Sequence, residues 1–247
     1  MQWSDAGFIL SARKHGESSA IVNILTRHHG RHAGLVRGGA GRRLRGIIQP
    51  GNAVAAYWRA RLAEHLGSFT VELAGAHAAP LLGDPDRLAA LASACAVAES
   101  LLPEREVHAA VYEGFRVLLA ALDSSPQWQA VYVRWELGLL AELGFGLDLT
   151  RCAVTGTAQD LVYVSPRSGR AVSAAAGEPY RDRLLALPAF LLSAGNGDHP
   201  GPEAVRDGLL LTGYFLAGHA SAAHHRGLPP ARRRFADRFR GGTISSI

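Results

Sequence analysis

Along the first 75 residues, apolar and polar positions alternate in short runs separated by glycine-rich or polar turns, with no sustained 3.6-residue period. Residues 68–73 show this most cleanly. There Phe69, Val71 and Leu73 alternate with Ser68, Thr70 and Glu72, so one face is apolar and the other wet. The same pattern predicts strands at 7–12, 20–26, 32–37, 46–49 and 53–59, with Gly30 and the Gly38-Gly39-Ala40-Gly41 run as turns. Such a series of short strands predicts a small β-barrel.

From residue 84 the period becomes helical. Asp84 followed by Pro85 is an N-cap with proline at the first helical position, where its missing N–H costs nothing. The alanine- and leucine-rich segment to Leu102 predicts a buried helix, and 106–123 a second. Ser125-Pro126 starts a third that ends at Leu143, with Gly144 placed for a left-handed C′ residue. Short links between the three predict a bundle. Residues 145–178 interrupt the helices with Gly146, Gly156, Pro166, Gly169 and Gly177 around a β-like stretch at 161–164, predicting an inserted loop or small ribbon. Helical periodicity resumes at 181–187 and again at 203–225. The expected fold class is α+β: a barrel domain over 1–78, then a helical domain over 79–240 carrying the insertion at 145–178, and a disordered tail over 241–247.

Composition narrows the class. With 48% apolar and 19% charged residues the chain is that of a packed globular protein, and no run of about 18 apolar residues predicts a membrane span. The N-terminus lacks the basic start and apolar stretch of a secretory signal, which points to the cytoplasm and no membrane partner. Cys95 and Cys152 are expected as free thiols in that reducing compartment. Charge is unevenly distributed: residues 1–61 hold ten Lys/Arg and two Asp/Glu, residues 62–225 ten and eighteen, and residues 226–247 six and one. A basic head on an acidic body is the asymmetry expected when one domain meets a polyanion.

Catalytic motifs are missing. Lys14, the single lysine, follows Arg13 rather than the glycine of a phosphate-cradling loop, and neither a GxSxG elbow, an HExxH pair nor paired CxxC motifs occur. The chain is therefore expected not to be an enzyme; a hydrolase is the least favoured class. Glu104 and Glu106 flank Arg105 as a solvated helix start. His219, His224 and His225 do not share a helix face, so they make poor joint metal ligands. His28, His29 and His32 flank a glycine turn, where a surface or phosphate-contacting role is favoured over metal binding.

The strongest functional signal is Arg27-His28-His29-Gly30-Arg31 followed by Arg37-Gly38-Gly39-Ala40-Gly41-Arg42-Arg43-Leu44-Arg45. Guanidinium groups pair bidentately with phosphates, and a glycine-rich loop lets several reach one backbone. Tyr57 and Trp58, followed by Arg59 and Arg61, add stacking surface, although alternation along a strand makes one of the two rings a core residue. The candidate nucleic-acid contacts are Arg13, Lys14, Arg27, Arg31, Arg37, Arg42, Arg43, Arg45, Trp58, Arg59 and Arg61.

The chain resembles the RecO family of recombination mediators, whose N-terminal domain is an OB-fold. The matching residues are Gly7-Phe8-Ile9-Leu10, Gly16-Glu17-Ser18-Ser19, Leu25-Thr26, Gly30-Arg31, Val36-Arg37-Gly38, Leu44-Arg45-Gly46 and Gln49-Pro50. The match continues through Arg134-Trp135-Glu136-Leu137-Gly138 to Gly144-Phe145-Gly146, and ends with Ala231-Arg232-Arg233-Arg234-Phe235. The resemblance implies a protein that binds single- and double-stranded DNA, anneals complementary strands and, with RecR, helps load RecA onto strands coated by single-strand-binding protein. Family members often hold a structural zinc with four cysteines in the inserted loop. Here Cys152 stands alone, with Thr155 at its CxxC partner's place, so a zinc-free loop packed through Leu161, Tyr163 and Val172 is expected. The resemblance also implies docking of the acidic tail of single-strand-binding protein on the helical domain, with Arg134 as candidate contact; a solvated or intrahelical charge is the plainer alternative. The arginines from Arg232 to Arg240, with Phe235 and Phe239, either add a second DNA contact or dock back on the bundle. An RNA-binding or ribosome-associated OB-fold is the competing class.

Overall fold

The computed structural model describes residues 1–192, 200–224 and 227–240, with 219–224 by backbone alone. The chain begins with β1 (Gln2–His15), β2 (Ser19–Thr26) and β3 (Gly30–Val36), crosses a short helix α1 (Arg42–Ile47), and continues with β4 (Ala53–Arg59) and β5 (Ser68–Gly75). Around the closed barrel the order is β1-β2-β3-β5-β4, with β4 returning to β1. β3 and β5 run parallel and the other pairs antiparallel. This is the five-stranded OB topology. The long β1 serves both neighbours, pairing Gln2–Phe8 with β4 and Gly7–His15 with β2, and a register shift between Ile9 and Ser11 bends it between the two. Inward-facing Ile9, Val22, Ile24, Val54, Trp58 and Phe69 fill the barrel.

The strand expected at 46–49 does not form. Residues 42–47 make α1 instead, because β3 and β5 already close the barrel and the Arg-Arg-Leu-Arg run favours a helix. Leu44 and Ile47 pack it onto the barrel core.

α2 (Pro85–Leu101) starts as expected: the Asp84 carboxylate accepts from the N–H groups of Asp86 and Arg87, both at 3.1 Å. With α3 (Ala109–Ser124) it packs on the barrel, and Met1–Asp123 form one compact unit. Phe8 lies against the rings of Tyr112 and Phe115, at 5.1 and 5.5 Å between centroids. Glu99 accepts from the Ser11 hydroxyl at 2.6 Å and the Asn23 amide at 2.9 Å. The link between α2 and α3 has a further role. β5 reaches only Leu35 and Val36 of β3, and at the other end of that edge Glu104 bridges to Arg31, whose carbonyl accepts from the Arg105 N–H at 2.8 Å. Gly30, at φ +67, makes room for this link, since a β-carbon there would collide with the Glu106 carbonyl.

The second compact unit, Ser124–Ile247, is built on α4 (Trp128–Glu142). This helix begins later than the sequence predicts, because the Ser125 hydroxyl accepts from the Gln127 N–H and forms a turn ahead of it. Gly144 ends it at φ +84, as expected. The insertion is a ribbon of β6 (Leu161–Val164) and β7 (Ala171–Ser173), followed by the short α5 (Ala174–Gly177). Residues 181–187 are not a regular helix: a 3₁₀ turn, Glu178–Arg183, leads into β8 (Leu185–Ala186), which pairs with Val164 and Tyr163 of β6. Pro188 disfavours helix in the residue before it, and the free edge of β6 supplies the alternative. Leu161, Val164 and Val172 form the ribbon's core, with Tyr163 packed against it, so the expected packing residues are the ones used.

Cys152 lies in this core, its Sγ accepting from the Ser173 N–H at 3.3 Å and hydroxyl at 3.4 Å. Burial pushes the thiol up, but hydrogen bonds from Ser173 and Thr155 outweigh it and bring it down to about 6. Among the described residues no group of three or more His, Cys, Asp or Glu is disposed to hold a metal.

α6 (Pro202–His224) and α7 (Pro230–Asp237) complete the unit. Of the two roles weighed for the C-terminal arginines, docking is realised by Arg232. Its Nε donates to Glu136 Oε1 at 2.5 Å, and its terminal nitrogen to Glu136 Oε2 at 2.9 Å and the Leu209 carbonyl at 2.8 Å. Phe235 packs on Tyr132, 4.6 Å between centroids. The expectations for the side chains of His219, His224 and His225 and for the 241–247 tail lie outside what is described. Among the described residues no helix is long and apolar enough to cross a membrane.

Candidate nucleic-acid interface

Strand register assembles the basic site. Ser68 of β5 faces Leu35 of β3 on one side and Arg59 of β4 on the other, which brings Arg37, just beyond β3, to the same rim as Arg59 and Arg61. These three exposed arginines line an open hollow of about 490 Å³ together with Met1, Gln2 and Ser68, and its lining holds neither a carboxylate nor an aromatic ring. A smaller hollow of about 260 Å³ contains Lys14 and Arg45 beside Ala40 and Gln49, again with no acidic residue. Arg42 and Arg43 are exposed on α1. A third hollow, of about 470 Å³, is lined by Asp5, Tyr57 and Glu72 with no basic residue. The barrel thus separates its cationic rim from its acidic face.

Two family models match the chain: Recombination protein O N terminal over residues 1–76 and Recombination protein O C terminal over residues 82–228. The chain belongs to the RecO family. Its relatives include the DNA repair protein RecO of Rhodospirillum rubrum, 56% identical over 245 residues covering 97% of each chain. That of Rhodospirillum centenum is 55% identical over 248 residues, covering 100% of this chain and 98% of the relative, and that of Phenylobacterium zucineum 52% identical over 239 residues, covering 97% and 98%. Membership of the RecO family places the chain among DNA repair and recombination proteins.

Not every residue that the RecO resemblance and the charge pattern nominated lies open to a ligand. Trp58 is a core residue: alternation turns it inward, its indole N–H donates to the Leu66 carbonyl at 3.1 Å, and Trp3 and His32 pack around it. It has no free face for a base. Tyr57 points outward, but its hydroxyl donates to Gln2 Oε1 at 2.6 Å and it lines the acidic hollow. Arg31 is spent on the fold. Its guanidinium donates to the Leu102 carbonyl at 2.8 Å, to Asn23 at 3.2 Å and to Glu104 at 3.3 Å, locking β3 to the link after α2. Arg13 and Arg27 are exposed, yet lie 3.8 Å from Glu99 and 3.5 Å from Glu113. In the second unit Arg134 donates to the Phe190 carbonyl at 2.6 Å and lies over that residue's ring.

His28 is exposed and His29 half-buried, and both turn Nδ1 toward Asp5. Their Nδ1 atoms both lie 3.0 Å from the Asp5 carboxylate, which also accepts the His28 N–H at 2.7 Å. Burial pushes the Asp5 carboxyl up, and the hydrogen bonds from His29 and His28 outweigh it to hold the group below the usual carboxylate range.

One contributor that the sequence hides is Arg105. Its guanidinium donates to the carbonyls of Ala63 at 2.6 Å, His65 at 3.0 Å and Glu64 at 3.3 Å, pinning the β4–β5 loop that carries Arg61. Flanked by Glu104 and Glu106, it reads locally as part of a charged helix start, and nothing nearby in sequence marks a loop 40 residues away.

Proposed function

We propose that the barrel of this RecO-family chain binds single- and double-stranded DNA, with Arg37, Arg59 and Arg61 gripping backbone phosphates and Lys14, Arg42, Arg43 and Arg45 extending the cationic track. The observation that carries this is the three-arginine hollow with no carboxylate in its lining. Clustered guanidinium groups match phosphate geometry and release condensed counterions when a strand binds. The hollow also lacks an aromatic platform. Stacking on a ring is worth about 1–3 kcal/mol per base, so a surface that holds phosphates without it leaves the bases available to a second strand. That favours annealing as the activity, and strand annealing requires no bond to be made or broken by the protein.

The wider role is mediator rather than enzyme: with RecR, assisting the loading of RecA onto strands covered by single-strand-binding protein, in the cytoplasm at the nucleoid. Family membership and the motifs of α4 support this part. In this proposal DNA binding belongs to the barrel over 1–78 and partner contact to the helical part over 79–240, whose first two helices pack with the barrel as one unit. Arg134 remains the candidate contact for the acidic tail of single-strand-binding protein, with one side of its guanidinium already given to Phe190.

The test is fluorescence anisotropy of a labelled single strand across a salt series, paired with the rate of annealing to its complement. Substituting Arg37, Arg59 and Arg61 together by alanine should lower the slope of log K against log salt by about 2, at about 0.7 per phosphate contact on a single strand, and slow annealing. Unchanged affinity would remove the hollow from the binding site. Tighter binding of the matched RNA strand would favour the RNA-binding class instead.

A further inference from the structure

The C-terminal helix has two unlike sides. At about 100° per residue, Arg232, Phe235 and Phe239 fall on one side of α7 and the turn that continues it, while Arg233, Arg234 and Arg238 fall on the other. The first side is occupied. Arg232 is 1% exposed and bound to Glu136, which is fully buried, and Phe235 sits against Tyr132 with the Phe239 ring 5.4 Å away. The second side faces solvent: Arg233, Arg234 and Arg238 are all exposed. Among the described residues no carboxylate lies within 4 Å of Arg233 or Arg234, and Asp237, the one acid after residue 225, is 3.1 Å from Arg240.

We infer that this outward face of α7 is a second binding surface for the nucleic-acid backbone, on a different compact unit from the barrel. Three features favour phosphate strands over other anionic partners. The helix is held by a buried ion pair and an aromatic contact, so its arginines are presented on a fixed support rather than a loose tail. Its apolar side is consumed inside the protein, leaving nothing to enter a lipid surface, as an interfacial helix requires. Guanidinium forks suit phosphate oxygens, and from Arg233 to Arg238 they are spread along about 7.5 Å of helix.

Two cationic surfaces on one chain make the protein bivalent toward nucleic acid. Once one strand is held, a second is captured at the high effective concentration that linkage provides. The inference does not depend on the barrel hollow being a DNA site, and the tests of the two come apart.

Replacing Arg233, Arg234 and Arg238 together by alanine leaves Arg232 and Phe235 untouched, and the thermal midpoint should stay within about 2 °C of the parent, as for exposed substitutions. Single-strand affinity at low salt should fall about tenfold and the salt slope by about 2, while the triple lysine variant should keep the parent slope. The inference is overturned if the alanine variant binds oligonucleotides with the parent affinity and slope. It is equally overturned if the lysine variant loses as much as the alanine one, or if only binding of poly-glutamate is lost. Should the barrel variant lose DNA binding and the α7 variant not, the proposed function stands and this inference falls; the reverse result does the opposite.

Discussion

His32 carries its imidazole into the barrel core of β3, against Trp3, Trp58 and Phe69, and both ring nitrogens are buried with no hydrogen-bond partner among the described residues. Burial first, and the nearby Arg105 charge second, bring it down to about 4 from an ordinary 6.5, while Glu104 opposes them. A depressed base binds its proton more readily in the unfolded chain. Stability is therefore full above pH 6.5 and lost as pH falls toward 4, by up to about 3 kcal/mol for this one group. His32→Phe should remove that loss and stabilise the protein at neutral pH by about 1 kcal/mol, because an unsatisfied buried polar group is deleted at similar volume. Urea titrations at pH 5 and pH 7.5 measure both effects; an unchanged pH dependence would show that the ring is hydrated. The orientation was partly legible in the chain. The alternation of His32, Gly34 and Val36 along β3 turns His32 inward, and it leaves Arg31 on the other face. Local pattern does decide Trp58 against Tyr57, once the strand is paired.

Among the elements, those with local start and stop chemistry were readable: Asp84 caps α2 and Gly144 ends α4 as their residue types require. α1 and β8 were not, because each depends on which distant strand edges remain free. The same holds for the anchor of α7. Arg232 reads as one more residue in a basic run, and its partner Glu136 lies 96 positions earlier. Thr212 and Tyr132 hydroxyls complete that carboxylate's hydrogen bonds, at 2.5 and 3.1 Å. Arg232→Met should destabilise by about 3–5 kcal/mol, since it strands a buried charge, whereas adding Glu136→Met should recover most of the loss. Denaturant midpoints of the two single variants and the double variant check this. A double variant no more stable than Arg232→Met would mean that the guanidinium's other bonds hold the helix.

For the whole molecule, the alternation of basic, acidic and basic segments along the chain corresponds to surfaces and not to a uniform charge. Three of the barrel's arginines, Arg37, Arg59 and Arg61, gather at one rim, and the C-terminal arginines lie on and just after α7. If both meet the same strand, combining the barrel and α7 alanine triplets should lower the salt slope by about 4, the sum of the separate losses, and abolish annealing while each triple variant retains some. Anisotropy and annealing on the three variants test this, and a combined slope no lower than the barrel triplet's would assign all strand contact to the barrel.

The link that closes the edge of β3 bears on how the chain is made. The last barrel strand ends at Gly75, but the residues that cover β3 lie at 104 and 105. At a synthesis rate of about 5–20 residues per second, the nascent barrel waits roughly 2–6 seconds for them. Through that interval the Arg31 end of β3 presents unpaired backbone groups, a template for strands of neighbouring nascent chains. Gly30 and Arg31 end the wait, one by leaving space and the other by fastening what arrives.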